Sequence, residues 1–362
     1  MTASDEQILD AITDLTPKLL TTLEAFEQLQ QNMDPSRVPQ LKDFIAPFED
    51  ELRPAFDHLQ ALEFPAHLAS FQKQLHDGAD YCLRACNGFT GTHDDPWITM
   101  KAMRAHCRAQ SFMYSIATVM NPINQYFLEQ DARTNQALLD ACMLQNDSTG
   151  LKHFNNARTS RGGFSLYVPE YLEPTKARSL VVALHGGTGH GADFLWSWLR
   201  EARTRGFILL APTSQQDTWS LSGEEHDLEP LTTMITYIKE NWAIDDNHIL
   251  LTGMSDGGTY TLLAGLQEHS PFTHLAPFSG VLHPEISMSG RIRFAHERNI
   301  FLVHGTSDWM FPIETAYMAK TELESAGANL TFSAEEGLSH TYARFQNPHL
   351  ITWFNPDLAL PA

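Results

Sequence analysis

Apolar positions follow two different rhythms along this chain, and the change falls near residue 150. From residue 5, Ile8, Leu9, Ile12, Leu15, Leu19, Leu20, Leu23, Phe26 and Leu29 recur at spacings of three and four, the period of an amphipathic helix. After Asp34-Pro35 the same period resumes through Leu41, Phe44, Ile45, Phe48, Leu52, Phe56 and Leu59, with Pro47 and Pro54 expected to kink or break it. A third stretch runs from about Pro65 to Asn87, ending before Gly88. A fourth opens at Asp94-Asp95-Pro96, an acidic N-cap with Pro in the first turn, and continues to Met120. A last one covers about Thr134 to Gln145. The pattern predicts an all-α helical bundle of four or five helices over residues 1–150.

Beyond Asp147-Ser148-Thr149-Gly150, short β-branched and aromatic runs alternate with helical patterns. Strands are predicted at Phe164–Val168, Ser179–Leu184, Phe207–Ala211, His248–Thr252, Leu275–Phe278, Asn299–His304 and Asn329–Ser333. Helices are predicted over about 192–205, 228–242, 255–268 and 313–326. Alternation at this spacing implies an α/β domain over residues 151–362, a mostly parallel sheet with helices on both faces.

Composition narrows the function. The chain has 24 basic and 44 acidic residues, a net charge of −20, and no Lys/Arg run. That disfavours nucleic acid and an anionic membrane surface as partners. The excess is shared, 10 basic against 21 acidic residues up to position 150 and 14 against 23 after it, so it is a solubility feature and not an acidic tail. No run of 18 apolar residues predicts an integral membrane segment. The acidic start Met1-Thr2-Ala3-Ser4-Asp5-Glu6 lacks the basic region and apolar core of a secretory signal. Cys82, Cys86, Cys107 and Cys142 follow no disulfide framework, and the expectation is a cytoplasmic protein. Cys82 and Cys86 share a helical face and His106-Cys107 lies on another helix; buried thiols explain them better than a metal site.

The segment most informative about chemistry is Thr252-Gly253-Met254-Ser255-Asp256-Gly257-Gly258, a Gly-x-Ser-x-Gly between a predicted strand and a predicted helix. A sharp turn there would hold the Ser255 hydroxyl clear of the sheet, with glycines where a Cβ would collide with backbone. A serine nucleophile needs a base and an acid, which in this arrangement follow it as Asp/Glu and then His. Asp308 lies just beyond the strand ending in Val303-His304, and His340 on the loop after Leu330-Thr331-Phe332. Both loops are at carboxyl ends of strands, where α/β sheets build sites. The candidate catalytic residues are therefore Ser255 as nucleophile, His340 as general base and acid, and Asp308 as the group orienting the imidazole. Asp308 could equally be a turn former. His349 competes with His340 but falls in a predicted helix; His304 and His185 are expected to be structural.

The run Leu184-His185-Gly186-Gly187-Thr188-Gly189 carries a strand into a glycine-rich loop whose N–H groups can approach a substrate oxygen. It lacks the endings of a P-loop and of a dinucleotide fold. The N–H of Asp256, opening the helix after Ser255, would be the second oxyanion donor. Trp219, Met254, Trp309 and Phe311 could line an acyl or aryl pocket, with ordinary packing the competing explanation for each.

Residues from about 160 to 354 resemble the α/β-hydrolase superfamily, in its phospholipase/carboxylesterase and dienelactone-hydrolase branch, with feruloyl-esterase-like and polyhydroxybutyrate-depolymerase-like members. The likeness rests on Leu184-His185-Gly186-Gly187, Ala211-Pro212, Gly253 to Gly258, Phe278-Ser279-Gly280, His304 to Asp308 with Pro312, and Gly337-Leu338-Ser339-His340. It implies a triad of Ser255, Asp308 and His340 and an oxyanion hole at Gly187 and Asp256. The expected function is carboxylic-ester hydrolysis of a small-molecule substrate through an acyl-enzyme, with no metal and no cofactor. An acyl thioesterase or lysophospholipase-like activity is the nearest alternative, although thioesterases of this branch commonly carry Gln where this chain has Asp256. The helical module lies outside the likeness. It is expected to gate substrate, to form a homodimer, or to serve as a protein-interaction domain.

Overall fold

The computed structural model describes residues 3–360 apart from Asp94, Pro96 and Gln145, and it divides into two compact units, Met1–Met143 and Leu144–Ala362. In the first unit four long helices follow one another: α1 (Asp5–Gln31), α2 (Val38–Gln60), α3 (Ala69–Thr90) and α4 (Ile98–Tyr114). Two short ones follow, α5 (Asn121–Tyr126) and α6 (Gln136–Ala141). Ser4 opens α1 with a capping box, its side chain taking the Gln7 N–H while the Gln7 side chain takes the Ser4 N–H. Phe26 and Leu29 of α1 meet Leu41 and Ile45 of α2, Cys86 and Phe89 of α3, and Ala102 and Ala105 of α4 in one apolar core.

Four expectations are corrected in this unit. Pro47 and Pro54 do not break α2, which is continuous from Val38 to Gln60. A proline inside a helix costs about 3 kcal/mol, but Leu41, Ile45, Leu52, Phe56 and Leu59 are all buried along one stripe. Each such burial returns about 1.5–3 kcal/mol, so the stripe carries the helix through. Gly88 does not end α3 either. A Cβ there would stand 2.6 Å from the Ala102 Cβ, so the glycine permits close packing of α3 on α4 and is not a stop. The fourth helix starts at Ile98 and ends at Tyr114, not Met120. Of its expected cap, Asp94 and Pro96 lie outside the described residues, while Asp95 accepts the Trp97 N–H at 2.9 Å. The last predicted helix is short, Gln136–Ala141, and its expected end at Gln145 also lies outside the described residues.

The bundle core holds a polar chain. His106 is 1% exposed, stacked on Phe26 with ring centroids 4.8 Å apart, with Nε2 3.1 Å from the Leu23 carbonyl. Its Nδ1 is 3.3 Å from Gln110 Nε2, and the Tyr126 hydroxyl donates to Glu27 at 3.0 Å. Cys82, Cys86 and Cys142 are buried free thiols. Burial, then the neighbouring Cys86, pushes the Cys82 thiol well up, the inert state of a packed cysteine.

The second unit is built on an eight-stranded sheet in the order β1-β2-β4-β3-β5-β6-β7-β8. Its strands are β1 (Gly150–Phe154), β2 (Phe164–Val168), β3 (Arg178–Leu184), β4 (Ile208–Pro212), β5 (Ile244–Met254), β6 (His274–Phe278), β7 (Asn299–Gly305) and β8 (Asn329–Glu335). The first two pair antiparallel, and β3 to β8 run parallel. This is the α/β-hydrolase fold that the alternation and the resemblance predict. Between strands lie α7 (Gly191–Phe194), α8 (Leu199–Arg205), α9 (Leu228–Asn241), α10 (Asp256–Gly265), α11 (Pro284–Met288) and α12 (Ile313–Ser325), and α13 (Asn347–Phe354) closes the chain. The central strands are buried on both faces, β3 along Ser179–Leu184 and β4 throughout. Their side chains join Ile235, Ile238, Leu262 and Leu263 of the covering helices in one core. Among the described residues no helix is long and apolar enough to cross a membrane.

Candidate active site

The carboxyl ends of β3, β5, β7 and β8 lie on one side of the sheet, and each leads into a loop with one part of the candidate chemistry. β5 ends at Met254, and α10 begins at Asp256, leaving Ser255 alone in the turn with φ 58° and ψ −120°. Few non-glycine residues hold such a backbone, and where they do the strain is typically functional. The flanking glycines allow it. A Cβ on Gly253 would stand 2.5 Å from the Gly257 carbonyl, and one on Gly257 would stand 2.5 Å from the His185 carbonyl oxygen. The Ser255 N–H is spent on the Phe278 carbonyl of β6 at 2.9 Å, which pins the turn to the sheet. Although Ser255 occupies the N-cap position, its hydroxyl makes no capping bond.

That hydroxyl lies 3.0 Å from His340 Nε2. The other ring nitrogen, Nδ1, lies 2.8 Å from Asp308 Oδ2 and 3.0 Å from Oδ1. Since an ionised carboxylate only accepts, Nδ1 carries the proton and leaves Nε2 free to accept from Ser255. The two loops that bring these residues together are stitched to each other: Thr306 N–H to the Glu335 carbonyl, Ser307 N–H to the Leu338 carbonyl, and Gly337 N–H to the Thr306 hydroxyl at 2.8 Å. Asp308 Oδ1 also accepts the N–H groups of Met310 at 2.9 Å and Phe311 at 2.8 Å. The residue is thus a turn former as well as the partner of His340. Burial alone would push the Asp308 carboxyl up. The hydrogen bond from His340 and those from Phe311 and Met310 outweigh it and hold the group below the ordinary range.

The loop after β3 approaches Ser255 from the other side. Neither the Gly187 nor the Asp256 N–H donates a hydrogen bond among the described residues. Asp256 Oδ2 accepts the Thr218 hydroxyl at 2.6 Å, so the carboxylate is held by a neighbouring donor. It also stands 2.6 Å from where a Cβ on Gly187 would be, so a side chain there would displace the carboxylate. Three contacts strap this loop to the one following β4: Thr188 N–H to the Asp217 carbonyl, the Trp219 indole to the His185 carbonyl at 2.7 Å, and Arg161 to the carbonyls of Gly189 and Ser214. His185 belongs to the same scaffold. Burial pushes its pKa down to about 3, and its neutral Nε2 accepts the Ser214 N–H at 3.1 Å.

The candidate pocket residues divide. The Phe311 ring stands edge-on to His340 with centroids 5.4 Å apart, and Trp309 does so at 6.1 Å with more than half of its surface exposed. Met254, half-buried, has its sulfur by Gly186. Trp219 is instead a core residue: it is 3% exposed and stacked on Tyr260, with its indole committed to His185. His349 is exposed on α13, well placed in a helix as its context predicts, and His304 is fully buried at the end of β7. Thr218 and Arg161 were not visible as site residues in the sequence; no motif surrounds them, and only the tertiary approach of loops gives them a role. Among the described residues no cluster of three or more His, Cys, Asp or Glu side chains could hold a metal ion.

The fold is of the α/β-hydrolase class, and comparison with known proteins agrees in part of the chain. The phospholipase/carboxylesterase family model matches residues 226–346, the segment holding Ser255, Asp308 and His340. The resemblance to that family is thus borne out over this segment. A bifunctional acetylxylan esterase/xylanase from Neocallimastix patriciarum is 28% identical over 165 residues, which cover 43% of this chain and 23% of that protein. The chain therefore spans about a quarter of the curated relative it matches. Among solved structures, an acetyl xylan esterase from Aspergillus awamori is 17% identical, with a TM-score of 0.48 over 57% of this chain and 98% of that one. A fluorophosphonate-binding serine hydrolase of Staphylococcus aureus is 14% identical, with a TM-score of 0.46 over 56% and 96%.

Proposed function

We propose that the chain is a serine carboxylic-ester hydrolase working through an acyl-enzyme. One observation carries the reading: the Ser255 hydroxyl, both nitrogens of His340 and the Asp308 carboxylate form an unbroken hydrogen-bonded line, with the serine on a strained turn. Ser255 Oγ attacks the ester carbonyl while its proton passes to His340 Nε2. The oxyanion is received by the unpaired N–H groups of Gly187 and Asp256. His340 then protonates the leaving alcohol, and water activated by the same nitrogen releases the acid. Asp308 keeps the productive tautomer and stabilises the imidazolium. The chemistry is complete with these side chains and calls for no cofactor.

Met254, Trp309 and Phe311 are the residues we assign to the substrate pocket. The exposed Trp309 indole beside His340 puts a flat apolar face where the leaving group must come, which suits an aryl or a saccharide alcohol. An acetylated saccharide is therefore a substrate to try, as the name of the acetylxylan esterase relative also suggests. Four free cysteines support a reducing, cytoplasmic setting. The helical unit, in this reading, restricts which esters are accepted or pairs two copies of the chain, supported by exposed Leu9, Trp97 and Val119.

The test is a panel of p-nitrophenyl esters from acetate to palmitate, run beside acetylated xylo-oligosaccharide, aryl esters and acyl-CoA, with Ser255→Ala in parallel. Ester turnover lost in Ser255→Ala, together with fluorophosphonate labelling at Ser255 alone, is the expected outcome. Labelling at another residue, or faster turnover of acyl-CoA than of any ester, would replace the reading.

A further inference from the structure

His304 is not one of the proposed triad, yet it stands directly behind it. The residue is the last but one of β7 and is fully buried. Its Nε2 lies 2.7 Å from the carbonyl oxygen of Phe311, so Nε2 carries the proton and donates it there. Its Nδ1 has no hydrogen-bond partner. The one hydrogen bond of the imidazole is thus the bond that it makes to Phe311.

Phe311 is where three lines of contact meet. Its carbonyl takes the His304 proton, its N–H donates to Asp308 Oδ1 at 2.8 Å, and its ring stands edge-on to His340. The bond from residue 304 to residue 311 closes the loop that has Asp308 at its centre. His304 Nε2 also lies 3.5 Å from Asp308 Oδ2, the oxygen that faces His340 Nδ1. The charged and titratable groups near His304 are thus Asp308 and, beyond it, His340.

We propose that His304 is a positioning residue: its imidazole latches Phe311 and thereby fixes the Asp308 carboxylate and the ring of His340 in register. The proposal rests on the triad reading above. Small misplacements of catalytic groups cost up to about 100-fold in rate; the bonds to the His340 loop hold Thr306 and Ser307, whereas the far side of the loop, at Phe311, is held by His304. With Asp308 out of line, the imidazolium of His340 is less stabilised and the chemical step slows.

The experiment uses the full-length chain with p-nitrophenyl acetate, comparing wild type, His304→Phe, His304→Gln, His304→Asn and Ser255→Ala. His304→Phe keeps a ring but no donor, and should lower kcat about 10- to 100-fold with KM within twofold. Gln presents an amide N–H at the reach of Nε2 and should recover most of the rate. Asn stops one carbon short and should not; it replaces the Phe variant if that one fails to fold. A His304→Phe or His304→Asn enzyme within twofold of wild type, or a Gln variant as impaired as Asn, overturns the latch. Activity that survives in Ser255→Ala overturns instead the nucleophile assignment, so the two failures are told apart.

Discussion

Both units of this chain bury a histidine among aromatic rings, and the two residues do opposite things. His106 in the bundle sits between a backbone carbonyl and an amide, against Phe26. His340 sits between a carboxylate and a hydroxyl, against Phe311. The partners make the difference. A carbonyl and an amide fix one tautomer and offer nothing to exchange, whereas a carboxylate and a hydroxyl let the ring take up a proton and return it. Burial of a polar side chain is therefore a poor guide to function until the chemistry of its partners is known.

The largest effect is expected on removing the His340 ring. His340→Ala should reduce kcat/KM about 10⁴-fold or more, as loss of one triad member does, while His349→Ala leaves it within twofold. Esterase assays at saturating and subsaturating substrate measure both. Asp308→Asn should fall between them, because the asparagine can still hold the loop turn but stabilises no imidazolium.

Acid should separate the units next. Burial lowers the pKa of His185 to about 3 and that of His274 to about 4, from an unfolded value of 6.5. Between those limits the unfolded chain binds protons that the folded chain refuses, so stability falls as pH falls below about 6.5. The slope approaches about 1.4 kcal/mol per pH unit for His185 and is smaller for the more exposed His274. Asp308, held low, adds its loss only when pH drops below the ordinary carboxylate range. Both histidines lie in the α/β unit, so hydrogen exchange at pH 7 and pH 5 should show that unit losing protection first. Equal loss in the helical unit would contradict the assignment.

A smaller effect is expected from His106→Leu. Leaving Gln110 and the Leu23 carbonyl without their partner should cost about 1–3 kcal/mol in urea unfolding, with kcat unchanged. The smallest is expected from Asp256→Gln. Its amide can take the Thr218 hydroxyl as the carboxylate does, so activity should stay within about threefold of wild type. A larger loss would mean that the charge itself matters to the oxyanion site.

Much of the fold around the candidate site was legible in the sequence because strands, turn glycines and strand-end residues are local signals. Gly253, Ser255 and Gly257 stand within five residues, Asp308 follows the buried apolar run of β7, and His340 follows β8, where the alternation of Leu330-Thr331-Phe332 marks a strand. Edge and tertiary features were harder. β1 was missed because Gly150-Leu151-Lys152-His153-Phe154 is a half-exposed edge with no continuous apolar run. Trp219 read as a pocket aromatic because nothing in its neighbours reveals that Tyr260, 41 positions on, stacks against it. The prolines of α2 misled for the same reason: the burial that offsets them comes from other helices.

The line from Ser255 to Asp308 begins in the middle of the sheet, but His340, its proposed general base, stands on the loop that follows β8, a strand at the edge of the sheet whose residues are exposed or half-buried. An outer strand has one hydrogen-bonded neighbour and frays at lower cost than a central one. Catalysis would then be the first property of the α/β unit to disappear on mild heating, while Ser255 still sits on an intact β5. Loss of turnover ahead of loss of circular dichroism would make the enzyme its own gauge of how firmly that last strand is attached.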